Sequence, residues 1–483
     1  MKAFGRFLLK CILFAGIVLG LLFSVNERMQ PVYTYQNSNW PTTSTFRQFY
    51  KMKKNSVDVL FFGSSFAVNA FDPQVIYDET GIRSYSLSSE QQSPFISYYW
   101  LREALKYQKP EAVVLETRYL FKRESNTPVN MNESFLRKSI EPMRFSALKH
   151  ELVSVLCGMD PNQSEMSYYF TNLAYHTRWK EMTAEEFFAH DADHAQLKGY
   201  GPLFVTNTDH FSPIVLSDPD LVIGMDPLME EYLGKIEDLC RDSGIELILI
   251  SVPASEMHEG MHNAAARYAE EHGLDYYDYS EAGQFYEAGW DLSVENPVDH
   301  MNYAGSLRMS KIIAGLLKNR YHIEAAADDQ WEETKEYGRM IGRKAELSLI
   351  QDPGTYTDAL KDRSCVIFAA LDDGNIPAEL ISAAGALGIG QAAPFLAVID
   401  NGQAMMQDSG TQGVINRYDL SYQMKQDENG TEIILNDSLY SRKAEGLHIT
   451  VYDPGLNKVI DEVCFVYENG AVRAVRDLRF MNE

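Results

Sequence analysis

The sequence predicts an α/β fold: a parallel sheet in a three-layer α/β/α arrangement, with an N-terminal transmembrane helix before it and a smaller β-rich domain after it. Three observations carry this. Between residues 56 and 322, short apolar runs alternate with helical stretches, the pattern of right-handed βαβ crossovers. An uncharged run, Cys11–Val25, opens the chain. Beyond residue 346 most runs read as strands that end in turn residues.

The N-terminal run follows Lys2, Arg6 and Lys10. With Phe7-Leu8-Leu9 added and Lys10 snorkelling, it is just long enough to cross a bilayer. The basic residues put the N-terminus on the cytoplasmic side and residues 26–483 outside. A cleaved signal peptide is the rival, but no small-x-small site precedes Asn26, which favours an uncleaved anchor over residues 1–26. Residues 27–55, polar and aromatic with Pro31 and Pro41, read as a spacer.

At 483 residues, with 45% hydrophobic and 12% aromatic content, the chain has material for two cores. A formal charge of −25 argues against nucleic-acid binding, which wants a basic face. The five cysteines (11, 157, 240, 365 and 464) form no CxxC pair, so no metal is expected, and nothing calls for a cofactor. Cys365 and Cys464 lie in strand-like runs where an exported protein could bond them; buried free thiols are the alternative.

Val57-Asp58-Val59-Leu60-Phe61-Phe62 reads as a buried parallel strand. Strands follow at 82–87, 112–116, 245–252 and 274–279, and helices at 94–107, 228–243, 263–272 and 305–319. An insertion, 118–225, interrupts the alternation. It carries Tyr175-His176-Thr177-Arg178-Trp179, either a packed helix turn or a polar-aromatic cluster suited to an acidic or sugar-bearing substrate. Residues 323–345 read as a helical linker and 346–483 as the β-rich domain.

Gly63-Ser64-Ser65 stands where the first strand ends and a helix begins, at the sheet edge where open α/β folds put their ligand sites. A serine there is a plain helix cap or a nucleophile beside free N–H groups. The candidate base lies 235 residues away, in Asp299-His300-Met301-Asn302-Tyr303-Ala304-Gly305. Phe62-Gly63-Ser64-Ser65, with Asn69 and Phe71-Asp72-Pro73 behind it, together with His300–Gly305, resembles the SGNH (GDSL-like) hydrolase superfamily. The likeness covers roughly residues 50–322. It is nearest to the membrane-anchored branch that accompanies membrane-bound O-acyltransferases in modifying cell-surface polymers.

The resemblance implies a flavodoxin-like SGNH domain with Ser65 as nucleophile and His300 as base. It further implies an O-acyltransferase or esterase, with acetyl the expected group, acting on a cell-surface or exported polysaccharide. A non-catalytic glycan-binding or scaffolding partner of a membrane O-acyltransferase is the rival. The acid that the pattern sets three residues before the histidine is Pro297 here, leaving Asp299 as the candidate and Asp291 further back. For the oxyanion the candidates are the Ser65 amide, Ser88, Ser89 and Gln92, with Gln91 or Arg118 as other side-chain donors. Arg118, His176, Arg178, Trp179 and Asn302 are the candidate substrate-binding residues. The C-terminal strands, at 365–374, 395–402, 446–453 and 459–465 around a helix at 378–387, are similar to the lectin-like domain of the interleukin-like EMT inducer family in permuted order, which implies a binding or accessory module.

Overall fold

A computed structural model describes residues 2–32, 42–180, 182, 197–204, 211–296, 300–361, 364–372, 376–390, 394–407, 410–427, 430–436, 438–442, 446–455 and 457–476. Five parallel strands form the first sheet: β1 (Val59–Phe62), β2 (Ser84–Ser86), β3 (Ala112–Glu116), β4 (Glu246–Ser251) and β5 (Asp275–Asp278). Their order is β2-β1-β3-β4-β5, so the chain reverses direction between β1 and β3. At such a reversal the loops on either side splay apart and leave a crevice at the strands' carboxyl ends.

Helices between the strands cover both faces of the sheet. Pro73–Thr80 and Tyr303–Asn319 pack together on one, Pro94–Ala104 and Pro227–Ser243 on the other. Every side chain of β1 and β3 is buried, as a covered parallel sheet requires. Within the insertion, Glu133–Ile140 and Ala147–Met159 lie outside Pro94–Ala104, and Leu197–Phe204 threads back to the main body. There Gly201 N–H bonds Val68 O at 2.9 Å and Tyr303 N–H bonds Leu203 O at 2.8 Å, tying together the two helices that carry the candidate residues.

The spacer reading needs correction. Thr42–Phe49 is a helix, and Phe46 and Phe49 are fully buried in the α/β core, with Phe46 stacked on Trp100 at 4.1 Å. Its apolar residues fall on one face, and burying that face outweighs the polar flanks that read as linker. The cysteines at 11, 157, 240, 365 and 464 are all free.

The β-rich region is separate and antiparallel. A six-stranded sheet runs β15 (Ala471–Arg476), β14 (Lys458–Glu468), β13 (Gly446–Asp453), β6 (Val366–Leu371), β7 (Phe395–Asp400), β8 (Gln403–Gln407). A four-stranded sheet runs β12 (Ser438–Arg442), β11 (Gly430–Leu435), β10 (Leu420–Asp427), β9 (Gly410–Ile415). Alternation along β6 builds two cores. Ile367, Ala369 and Leu371 meet the helix Ala378–Ala386, while Val366, Phe368 and Ala370 meet Leu420, Met424 and Ile433 of the smaller sheet. Asp372, at the end of β6, accepts hydrogen bonds from Gln426 Nε2, Thr431 Oγ1 and Gly446 N and pairs with His448 Nε2 at 2.7 Å, joining the two sheets.

The N-terminal helix, Lys2–Met29, holds a 23-residue span, Phe4–Asn26, that is long and apolar enough to cross a membrane. Among the described residues no side chain of the 18-residue apolar window within that span is buried, and Asn26 at its end is.

Candidate active site

The site begins with a glycine. Gly63 has φ +150°, and a Cβ there would stand 2.6 Å from Glu116 Cβ, so the turn out of β1 accepts no side chain. Ser64 then caps the helix Ser65–Ala70, its Oγ accepting from Phe66 N–H at 3.3 Å. The cap is itself held: Ser64 Oγ–H and N–H both donate to Glu116 Oε2, at 2.8 and 3.3 Å. Glu116 Oε1 accepts from Arg118 N–H at 2.7 Å. One buried carboxyl thus joins the corner after β1 to the corner after β3 across the crevice. Sequence reasoning treated Glu116 only as the end of a strand. The available signal was an acid closing an otherwise apolar buried run, which needs donors at once.

Ser65 is the first residue of its helix, and its Oγ lies 2.8 Å from His300 Nε2. The imidazole is held from below by Phe66, whose ring centroid is 4.8 Å away. From the other side of the sequence it is held by the start of Tyr303–Asn319. Asn302 caps that helix, accepting from Gly305 N–H and Asn296 N–H and donating to Val294 O, each at 2.9 Å. Gly305 has no room for a side chain, since a Cβ would meet Asn296 O at 2.9 Å. The amide of Asn302, a candidate for substrate binding, is therefore engaged in shaping the histidine loop. Asp299 lies outside the described residues. Asp291 accepts from Ser293 N and Oγ, which hold its carboxyl below the usual carboxylate range.

The expected oxyanion donors divide in two. Ser65 N–H, as the first of its helix, and Ser88 N–H have no acceptor among the described residues. Ser89 and Gln92 are spent on their own loop. Ser89 N–H bonds Gly63 O at 3.3 Å, and Ser89 Oγ bonds Gln92 Oε1 and Ser139 Oγ. Gln92 Nε2 donates to Leu87 O and Ser97 Oγ. Both side chains fix the corner after β2 and leave no N–H over for a ligand. Gln91 Oε1 accepts from Asn132 N–H at 2.8 Å.

Arg118, unlike them, keeps unengaged donors. Its guanidinium stacks on the Phe66 ring at 3.5 Å, on the same ring that supports His300. It is ion-paired with Glu256, which also pairs with Arg123. Those two partners hold the Glu256 carboxyl below its ordinary range despite partial burial. Arg118 Nε and Nη1 are buried and find no acceptor among the described residues. Leaving buried N–H groups unpaired costs about 1–3 kcal/mol each, which an oxyanion or a ligand carboxylate would recover.

His176, Arg178 and Trp179 lie elsewhere in the insertion, in the stretch that meets the end of the N-terminal helix. His176 is exposed, with Nδ1 3.2 Å from Leu173 O, and Trp179 is exposed under the Lys180 ammonium. Among the described residues no group of three or more His, Cys, Asp or Glu side chains is arranged to hold a metal. No protein-family model and no curated protein matches the chain.

Proposed function

We propose that this protein is an extracytoplasmic SGNH-type enzyme, held in the membrane by its N-terminal helix, that moves or removes an O-acyl group, acetyl above all, on a cell-surface or exported glycan. The observation that carries the reading is the 2.8 Å approach of Ser65 Oγ to His300 Nε2 across 235 residues of sequence. Ser64, not Ser65, caps the helix, which leaves the Ser65 hydroxyl to the imidazole. The strand order β2-β1-β3-β4-β5, with the serine at the carboxyl edge beside the reversal, supports a flavodoxin-like SGNH domain.

In this reading Ser65 Oγ attacks the ester carbonyl as His300 Nε2 takes its proton. The tetrahedral oxyanion is met by Ser65 N–H, Ser88 N–H and an Arg118 N–H. Collapse expels the alkoxide, which regains the proton from His300 and leaves an acyl-Ser65 ester. A second hydroxyl, of water in an esterase or of a glycan in a transferase, then attacks through the same imidazole. A membrane-bound O-acyltransferase is the partner that would supply the acyl group in the transferase case. The C-terminal domain would hold glycan or protein close to that edge.

The second reading is a non-catalytic glycan-binding or scaffolding protein, favoured by the engagement of Ser89 and Gln92 within their own loop. A fluorophosphonate probe separates the two. Labelling of the wild type that Ser65→Ala abolishes supports the enzyme. A wild type that takes no label under conditions that label an ordinary serine esterase leaves only the scaffold. Release of acetate to water without an acceptor glycan favours esterase over transferase.

A further inference from the structure

The insertion carries apolar side chains that the active site does not use. Phe145, Met166, Phe170, Leu173 and Trp179 are all exposed, Phe145 to 82% and Trp179 to 65%. Single exposed apolar residues need no explanation, but a run of large ones in a single short stretch does. This stretch is bonded to the end of the apolar span. Asn26 Nδ2 donates to Tyr169 O, Asn26 Oδ1 accepts from Asn172 N–H, and Thr171 Oγ–H bonds Asn26 O, at 3.1 to 3.3 Å. Phe145 joins the same group through a ring contact with Tyr169 at 5.7 Å. Asn26 is the last residue of the 23-residue span. At 1.5 Å per residue the span covers about 34 Å, slightly more than the roughly 30 Å hydrocarbon core. The aromatic group around Asn26 therefore falls at the level of the lipid headgroups, where Trp and Tyr are favoured.

We infer that Phe145, Met166, Phe170, Leu173 and Trp179 form a foot that rests in the bilayer interface around the N-terminal helix. The occupant is the lipid surface itself. The inference rests on the anchor reading of residues 1–26. The foot is braced on the α/β domain from both ends of the sheet. Arg144, next to Phe145, bonds Tyr50 Oη through its N–H and lies over the rings of Tyr50 and Tyr107. Tyr107 O in turn accepts from Asn55 N–H, just ahead of β1, so this is the amino edge of the strands. At the other end, Arg137 Nη2 donates to Ser167 Oγ at 2.6 Å and Tyr175 Oη to Glu141 at 3.0 Å, on or next to the helix Glu133–Ile140, whose Ser139 bonds Ser89 after β2. Arg178 and Lys180 flank Trp179 with positive charge, which anionic headgroups would attract.

The test uses the full-length protein in nanodiscs made with lipids brominated near the headgroup end of the acyl chain, which quench tryptophan on contact. Of the five tryptophans, Trp100 and Trp331 are wholly buried and cannot report, and with Trp40 and Trp290 replaced by Phe in both proteins compared, Trp179 is left as the reporter. The expected result is bromine-dependent quenching in the protein that keeps Trp179, most of which is lost in Trp179→Phe, a substitution on an exposed side chain that leaves folding untouched. Equal quenching in the two proteins, or none in either, overturns the foot, and the second outcome would hand the patch to a protein partner instead. Intact mass of the membrane-extracted protein keeps the two readings apart. A mature chain lacking the span defeats the anchor and the foot together, while an intact chain without quenching at Trp179 defeats the foot alone.

Discussion

Replacing Glu116 by Gln asks whether the corner bearing the nucleophile is set by one buried carboxyl. Glu116 accepts three hydrogen bonds, two from Ser64 and one from Arg118 N–H. A glutamine keeps the Cβ that rests against Gly63 and can keep the carbonyl oxygen toward Ser64. Its NH₂ then faces Arg118 N–H, donor against donor. One bond is lost and one buried N–H is left unpaired, a cost of about 2 kcal/mol. Glu116→Ala loses all three and should cost about 3–6 kcal/mol on the same scale. The larger effect is on geometry, because displacing reacting groups by an ångström can cost about a hundredfold in rate. The expected result is a urea midpoint lowered for Gln and more so for Ala. Fluorophosphonate labelling of Ser65 should slow about tenfold for Gln and about a hundredfold for Ala, an effect of the size a misplaced group produces. Wild-type labelling in a Gln variant that has lost stability would show that the carboxyl only braces the fold. Wild-type values of both would refute the clamp altogether.

Ser65→Ala should abolish labelling, and His300→Ala should slow it by about a hundredfold or more, the usual worth of a positioned base; a His300→Ala protein that labels normally would remove the imidazole from the chemistry. Phe46→Ala should destabilise the α/β domain by about 3–5 kcal/mol, since it empties a buried stacked site against Trp100; no change in the thermal midpoint would return residues 42–49 to the role of spacer. In the C-terminal domain, burial alone would raise the Asp372 carboxyl, but the His448 hydrogen bond and charge, with donors from Gly446 and Thr431, outweigh it and hold the carboxyl below its ordinary range. A depressed folded value means stability that is present above the unfolded carboxylate pKa of about 3.9 and is lost as pH falls through the folded one. Acid unfolding of this domain should therefore steepen below about pH 4, and Asp372→Asn should flatten that limb; an unchanged pH profile in the variant would assign the acid sensitivity elsewhere.

What could be read in advance follows the range over which each signal acts. The strands of the first sheet were legible because burial on both faces demands continuous apolar runs, as in Leu60-Phe61-Phe62 and Val113-Val114-Leu115. Gly244 and Gly273, helix stops with φ +68°, were legible for a local reason, the left-handed conformation at the cap. The pairing of Ser65 with His300 was legible only as a wager on two separate corners. The helix Thr42–Phe49 was missed because its two buried phenylalanines sit among threonines and a charge, and eight residues give too little periodicity against a polar background. The engagement of Ser89 and Gln92 was also out of reach. It depends on Ser139, fifty positions away on a helix of the insertion.

In the proposed chemistry Arg118 would take a donor's place that the SGNH resemblance gives to another residue. That resemblance implies an asparagine, a neutral donor with one amide, at the corner after β3. A guanidinium there would be harmful if it were free to swing onto Glu116 and pull the clamp open. Two contacts prevent this: the Phe66 ring fixes the plane of the group, and Glu256 takes one end of it. Glu256 is half-exposed and shared with Arg123, so its carboxylate offsets only part of the two positive charges. Arg118 Nε and Nη1 have no acceptor among the described residues. Because these donors are fixed before any substrate arrives, negative charge that develops on a carbonyl oxygen would be met without reorganisation, the condition under which such contacts lower a barrier most.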